Sequence, residues 1–588
     1  MDNFATKTLQ NLFNCIDIAV KHHIKHWIVS PGSRVAPLTL GIVRHHNTEK
    51  ITVTDERSAG FIALGKAMAL LNDKNWHREN DFVGLACTSG SAVYNYAPAI
   101  AEAFYQQIPL LILTADRPPE WVGQQDGQTI QQKNIFGSHV KAFFEIPVDF
   151  LHQNSIWYAE RIMNEACLAL KTEPYAPIHI NIPIREPFYP EKEEKIVPNT
   201  TRIWKEFSAN LQLSPQQWHE MFILWEECEN KLIVAGQNFS NLPLQQNLQK
   251  LYQDFQIPIV ADSLANLHHS DFIHHHDIFL QNLSTEQKKQ IQPEILITFG
   301  KSLISKSLKL FLKQFPPKYH LHIQAKGEVA DTFQSITHII RIEPNEFWKK
   351  LYEDWDLKTM LERDEEGEKD EYILAWEHYE HLAAQKINRF FVNENHHFSE
   401  FEAVGEILEN LPKNINLHIG NSMPIRYVNF WGIQHQEISV FCNRGTSGID
   451  GCVSTAVGTA LMNPEKITVL VVGDLSFLYD KNGLWHHHLP KNLKIIVLNN
   501  FGGNIFSMID GAKNQPELMT YFHTPHTQTM EKFAEIFGLA YQVAHDKHTL
   551  QASLSILFEN NELPQLLEIL TDRENNTKIW EKFKALAI

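Results

Sequence analysis

The stretch TVLVVGDLSFLYDKNGLWHHHLPKNLKIIVLNNFGG, from Thr468 to Gly503, decides how this chain folds. Two short apolar runs, TVLVVGD and KIIVLNN, read as buried strands of a parallel sheet. Their polar residues fall at strand ends, where open α/β sheets hold ligands. Asp474 offers a hard carboxylate, Asn500 follows 26 residues later, and Gly502 presents a carbonyl that no side chain covers. Oxygens of this kind suit Mg²⁺ or Ca²⁺ carrying a diphosphate. Gly, Asp and Asn also mark ordinary strand-end turns in any protein, so the rest of the chain has to decide between a diphosphate site and a plain turn.

Outward from that stretch the strand-then-turn pattern recurs. INLHIGNSMPIRYV, ISVFCNRGTSGIDGCVSTAVGTAL and PQLLEIL complete one α/β unit over residues 392–588. Over residues 1–190, LQNLFNCIDIAVKHHI reads as an amphipathic helix, HWIVS as a strand, and SPGSR as a turn into a helix capped by Ser33. ITVTDERSAGFIALGKAMAL then places Glu56 after a short strand, at the start of a helix built on small residues; FVGLACTSGSAV and IPLLILTADRPP repeat the pattern. A central unit, residues 203–355, carries the strands KLIVAG, IPIVAD, EILITFG, YHLHIQA and HIIRIEP. It has no GxGxxG, so neither FAD nor NAD binding is expected. FYPEKEEKIVPNTTR at 188–202 is a charged, Pro-bounded linker, and residues 356–391 begin as an acidic connector and merge into an amphipathic helix. The fold class is therefore α/β, three doubly wound parallel-sheet domains, the first and third sharing an architecture without a visible sequence repeat.

Composition narrows the function. At 588 residues, 43% apolar and 21% charged, the chain is a globular protein too long for one core. No apolar run approaches the ~20 residues that span a bilayer, and MDNFATKTLQ lacks a basic region followed by an apolar signal core, so a cytoplasmic location is expected. Six scattered cysteines without a CxxC pair read as reduced, buried thiols. The His triplets at 274–276 and 486–488 look metal-like, but adjacent residues point in different directions, so surface usage is the expectation. The net charge of −17 argues against nucleic acid as a partner. An acidic chain that binds anions has to gather cations locally, which draws attention to Arg34, Arg117, Arg426 and Arg444 at strand ends and turns.

Taken alone, Glu56 is a helix-start carboxylate favoured by the dipole. Its surroundings change that reading. SPGSR at 30–34, TDERSAGFIALG at 54–65, TADRPP at 114–119, GNSMPIR at 420–426, NRGTSGIDG at 443–451, GDLSF at 473–477 and NNFGGNIFS at 499–507 together resemble the thiamine diphosphate-dependent enzymes. Within that family they are most similar to the menaquinone-pathway synthases that join 2-oxoglutarate to isochorismate. The likeness covers the first and third domains and, more weakly, the second. Two departures stand out: Leu475 replaces the second Gly of the GDG signature, and Ser307 follows Lys306 where the family often shows Lys-Arg.

The resemblance implies thiamine diphosphate and Mg²⁺ or Mn²⁺ as cofactors. The metal would sit on Asp474, Asn500 and Gly502, and the cofactor would also touch Gly473, Leu475, Ile449 and Ile505. Residues 1–190 would bind the pyrimidine and residues 392–588 the diphosphate. Glu56 would be catalytic: a carboxylate held against the pyrimidine nitrogen favours the imino tautomer, whose exocyclic nitrogen acts as base. Ile449 would be the wedge that bends the cofactor; core packing is the other reading of that residue. Ser33, Arg34, Arg117, Gln128, Lys306, Ser422, Arg426, Arg444 and Phe506 would bind substrate. The implied reaction is decarboxylation of 2-oxoglutarate and conjugate addition of the resulting succinyl carbanion to isochorismate, and the implied assembly a homodimer or dimer of dimers with sites between subunits.

A rival in the same family is an acetohydroxyacid synthase or simple 2-oxoacid decarboxylase. GDL in place of GDG, the missing flavin fingerprint and the Arg set suited to dicarboxylates stand against it. A catalytically silent scaffold on the same fold is disfavoured because Glu56, Asp474 and Asn500 are all retained.

Overall fold

The structure, a computed structural model, describes residues 2–588 except 74–79, 187, 191–195, 197–200, 208–211, 355–369, 394–396, 434, 510 and 560–561. Much of the expected linker at 188–202 and the acidic start of the 356–391 connector lie outside the described residues.

Three sheets follow one another along the chain. The first holds β1 (Ile24–Val29), β2 (Glu49–Thr52), β3 (Phe82–Cys87), β4 (Leu110–Asp116), β5 (Ala142–Glu145) and β6 (Ile178–Pro183), in the order β2-β1-β3-β4-β6-β5. The second holds β7 (Lys231–Ala235), β8 (Ile259–Ala261), β9 (Ile295–Phe299), β10 (Tyr319–Ile323) and β11 (His338–Ile340), in the order β11-β10-β9-β7-β8. The third holds β12 (Asn416–Ile419), β13 (Ser439–Phe441), β14 (Thr468–Gly473), β15 (Leu493–Asn499), β16 (Ala540–Ala544) and β17 (Gln565–Leu570), in the order β13-β12-β14-β15-β17-β16. Every pairing among these strands is parallel. Numbered within their own domains, the first and third sheets have one and the same strand order, the shared architecture expected from the sequence. Parallel sheets are covered on both faces, which is why β3, β4 and β15 are buried along their whole length.

The first and third domains meet where helix Glu56–Leu71 crosses helix Cys452–Met462. Small residues bring the two backbones together: a Cβ on Gly65 would overlap the Thr455 carbonyl, and one on Gly458 the Ile62 carbonyl. Thr459 Oγ1 donates to the Gly65 carbonyl at 3.0 Å, and one apolar core runs through both domains from Ile62 and Ala63 to Val457 and Phe477.

Two expectations need correction. Ser33 does not cap a helix: the helix is Ala36–Arg44, Val35 occupies the cap position, and Ser33 contributes only its backbone carbonyl, to the Ala36 N–H. Pro37 is the reason. It lacks an N–H and is tolerated only in the first turn, and a start at Ser33 would push it into the second. The triplet at 274–276 is not a surface tract either. His275 Nδ1 meets the half-buried Glu380 carboxylate at 2.6 Å, and fully buried His276 meets Asp262 at 3.1 Å. Their carboxylate partners come from other elements, which spacing along the chain cannot show. His487 and His488 are exposed, as expected, and all six cysteines are free and buried.

Candidate active site

Asp474 opens a short helix, Asp474–Asp480, directly at the carboxyl end of β14. Its buried carboxylate accepts from its neighbour Leu475 N–H at 2.6 Å and from the Gly502 N–H at 2.9 Å, and His526 Nε2 lies 3.1 Å away. β14 and β15 are adjacent in the sheet, so residues 26 apart in sequence meet at its edge. Asn500, just past β15, is 8% exposed and donates through Nδ2 to Glu400 at 2.6 Å. Its other amide atom, Oδ1, is buried and has no hydrogen-bond partner. A buried acceptor without a donor is costly unless something positive completes it. Glu400 is itself buried; burial pushes its carboxyl up to about 7, against the Asn500 hydrogen bond and with the Asp474 charge adding to the rise.

Around this group, Leu475 lies against Gly503, whose Cβ would sit 3.4 Å from the leucine, and a Cβ on Gly473 would meet nothing within 4 Å. The Ser476 hydroxyl donates to the Ile449 carbonyl at 2.8 Å. Ile449 is 36% exposed, so of its two readings core packing is excluded. Ile505 is half-buried against the core, and the Phe506 ring packs on Phe522.

The loop Asn443–Gly451 is anchored from the first domain. Buried Glu102 accepts from the Gly445 N–H at 2.7 Å and from both the N–H and hydroxyl of Thr446 at 2.6 Å. This holds Arg444 in place: its NH1 donates to Asn421 Oδ1 at 3.1 Å, while its Nε is buried and unpartnered. Asn421 in turn donates to the Asn443 and Gly448 carbonyls at 2.7 and 2.8 Å, tying the start of the loop to its middle. Arg426 donates to the carbonyl of Ser422, a residue held at φ 79°. Arg426 is exposed overall, yet partial loss of hydration first, and the Arg444 charge second, lower its pKa against the pull of the Asp277 charge. Neither guanidinium forms an ion pair with a carboxylate among the described residues. Two cations close enough to repel each other would both be relieved by an anion.

The first-domain residues lie at the carboxyl ends of its strands. Glu56 is the first residue of its helix, half-buried, and accepts a long hydrogen bond of 3.4 Å from Asn95. Its neighbours reach the third domain of the same chain: Asp55 accepts from Asn482 at 2.8 Å, and Arg57 donates to the Tyr479 carbonyl at 2.8 Å. Exposed Ser33 and Gln128 approach the end of β3 from two sides, since Gly32 packs on Thr88 and Gly90 lies against the Gln128 backbone. The Thr88 and Ser89 hydroxyls between them are buried and unpartnered. Arg34 is buried, donates to the Ile184 carbonyl at 2.6 Å and lies 4.4 Å over the Phe188 ring. Arg117 holds the loop bearing Gln128, through Asp126 at 3.1 Å and the Gly127 carbonyl at 2.6 Å. Lys306 is exposed at the first position of helix Lys306–Gln314.

The structure thus brings Asp474, Asn500, Gly502, Gly473, Leu475 and Ile449 into one group and Ser422, Arg426 and Arg444 into a second, joined to it by the Asn443–Gly451 loop. Glu400, His526 and Glu102 support these groups and were not anticipated, because each comes from a segment with no motif of its own. Among the described residues no cluster of three or more His, Cys, Asp or Glu could hold a metal. A cation here would rest on one carboxylate with amide and carbonyl oxygens, a donor set suited to Mg²⁺ or Mn²⁺. The orphaned Asn500 Oδ1 and the open space at Gly473 fit a metal and a diphosphate.

Three family models match in succession: the N-terminal TPP binding domain of thiamine pyrophosphate enzymes over residues 14–135, the middle domain over 200–419, and the C-terminal TPP binding domain over 427–569. Proteins named 2-succinyl-5-enolpyruvyl-6-hydroxy-3-cyclohexene-1-carboxylate synthase are similar over nearly the whole length. The protein from Cytophaga hutchinsonii is 37% identical, covering 98% of each chain. That from Flavobacterium johnsoniae is 36% identical, covering 97% of this chain and 98% of its own. That from Phocaeicola vulgatus is 31% identical, covering 98% of each. No helix among the described residues is long and apolar enough to cross a membrane. With full-length identity at this level and three consecutive domains of the same type, the chain belongs to the 2-succinyl-5-enolpyruvyl-6-hydroxy-3-cyclohexene-1-carboxylate synthase family of thiamine diphosphate-dependent enzymes.

Proposed function

We propose that this protein decarboxylates 2-oxoglutarate and joins the remaining succinyl unit to the ring alkene of isochorismate, releasing CO₂ and forming 2-succinyl-5-enolpyruvyl-6-hydroxy-3-cyclohexene-1-carboxylate for menaquinone biosynthesis. The observation that carries this choice of substrates is the pair Arg426 and Arg444, neither of them in an ion pair with a carboxylate among the described residues and with Arg444 Nε buried and unpartnered. Guanidinium forks match carboxylates in two-point geometry, and both substrates are dicarboxylates. Pyruvate, the substrate of the rival reading, has one carboxylate for two guanidiniums.

Thiamine diphosphate, when bound, supplies the electron sink for the decarboxylation. Asp474, Asn500 Oδ1 and the Gly502 carbonyl would hold its divalent ion, Mg²⁺ or Mn²⁺, with Gly473 and Leu475 beside the diphosphate and Ile449 and Ile505 packing on the organic part. Glu56 would keep a proton on the pyrimidine nitrogen. Arg426, Arg444, Arg34, Arg117 and Lys306 would neutralise substrate carboxylates, Ser33, Gln128 and Ser422 would orient them, and Phe506 would keep water out. We place the working unit, a homodimer or dimer of dimers with the site between subunits, in the cytoplasm. Its domains are 1–190, 203–355 and 392–588.

The test is to supply 2-oxoglutarate with thiamine diphosphate and Mg²⁺, with and without isochorismate. Sustained CO₂ release that requires isochorismate, is abolished by chelation and returns with Mg²⁺ or Mn²⁺ is the expected result. Rapid turnover of pyruvate alone would instead assign the chain to the rival reaction.

A further inference from the structure

An asparagine that ligates a cation has to present its oxygen, and its amide can turn by half a revolution at almost no steric cost. Asn500 lies just beyond the end of β15, and its backbone does not settle which way the amide turns. Glu400 does. Glu400 Oε1 accepts from Asn500 Nδ2 at 2.6 Å, which puts the amide nitrogen on the Glu400 side and leaves Oδ1, buried and without a donor, on the other.

Glu400 is held firmly enough to do this. It is 2% exposed and opens helix Glu400–Glu409, whose cap Ser399 accepts from the Glu402 N–H at 3.3 Å. Its own N–H donates to Asn576 Oδ1 at 2.9 Å, and Asn575 donates to the Phe398 carbonyl at 2.9 Å, so the C-terminal helix Arg573–Ala585 fixes the start of this one. A carboxyl group this deeply buried is costly unless its hydrogen bonds offset the lost hydration.

We propose that Glu400 is a positioning residue that locks the Asn500 amide with its oxygen toward the divalent cation, so that metal affinity depends on a side chain that never touches the metal. The inference rests on the cofactor reading above. Partners of ligands at this remove change metal affinity by about 10–100-fold when lost.

The experiment measures Mn²⁺ binding to the full-length protein in saturating thiamine diphosphate, by the electron paramagnetic resonance of free Mn²⁺, for wild type, Glu400→Ala, Glu400→Gln, Asn500→Asp and the two double variants. Glu400→Ala should weaken Mn²⁺ binding by about 10–100-fold. Glu400→Gln should weaken it less, because its amide oxygen still accepts while its NH₂ can also hold the turned form. In the Asn500→Asp background, where both ligand oxygens are equivalent, neither Glu400 change should cost further affinity. Wild-type affinity in Glu400→Ala, or an undiminished loss in the Asn500→Asp background, would overturn the proposal. If Glu400→Ala does not fold, the near-isosteric Glu400→Gln pair gives the same comparison. A wild type that takes up no thiamine diphosphate with metal would sink the cofactor reading itself, a result distinct from a neutral Glu400.

Discussion

Glu56 would gain from the dipole at its helix start whatever its role, so its charge alone does not mark it as catalytic. What sets it apart is that Asp55 and Arg57 beside it are committed to the third domain, while the Glu56 carboxylate accepts one long hydrogen bond, from Asn95, among the described residues. Glu56→Gln keeps the size and removes the charge. It should fold and bind thiamine diphosphate within several-fold of wild type by calorimetry, while kcat for CO₂ release falls by about 10²–10⁴; a near-normal kcat would remove Glu56 from the mechanism. At this scale the sequence was readable where a residue sits in a strand-end motif. The positions of Asp474, Asn500 and Gly502 are examples, because adjacent β14 and β15 bring their ends together whatever lies between. Glu400, His526 and Glu102 were not readable, since nothing in their spacing ties Glu400 to a residue 100 positions later or Glu102 to a loop in another domain.

The crossing of Glu56–Leu71 with Cys452–Met462 works only because Gly65 and Gly458 leave room for carbonyl oxygens of the opposing backbone. Gly65→Ala should force the helices apart, cost about 1–3 kcal/mol in stability and lower activity by shifting Glu56; unchanged melting would show that the crossing adjusts freely. The small-residue pattern of SAGFIALGKAMAL announced a close approach but not its partner. A second element-level device is the His275–Glu380 pair, which joins the loop before helix His276–Asn282 to helix Glu371–Asn393. Burial alone would lower His275, but the Glu380 charge and hydrogen bond outweigh it and hold the imidazole above its ordinary value. Glu380 is pulled down to about 2 by the charge and hydrogen bonds of His275 and its neighbours, against the rise that burial would cause. The His275 contribution is therefore complete below pH about 6.5 and is lost as pH rises through its higher folded value; that of Glu380 is present above about 4.3 and is lost as pH falls through its folded value. The gap in melting temperature between wild type and Glu380→Gln should accordingly narrow from pH 6 to pH 9, and a constant gap would show that the pair is not ionised. Buried ion pairs of this kind are invisible to hydropathy, which is why His274–His276 read as surface.

For the whole molecule, three parallel sheets were legible in the sequence because their strands are short apolar runs ending in Gly, Asp or Asn. The half-buried edge strands β5 and β16 carry a mixed pattern and were not. The matching strand orders of the first and third domains make one chain an internal pair, and the proposed dimer would have to cover exposed aromatic rings of the third domain such as Tyr479, Trp485 and Tyr521. The central claim is that Glu56 of one subunit and Asp474 of another serve the same thiamine diphosphate. Glu56→Gln and Asp474→Ala proteins, each inactive alone, can be unfolded, mixed in equal amounts and refolded, and their isochorismate-dependent CO₂ release measured. Random pairing makes half the dimers mixed, each with one site that has both carboxylates intact, so the account predicts recovery of about a quarter of wild-type activity. Activity that stays at the level of the separate variants, in dimers shown to have exchanged subunits, would contradict it.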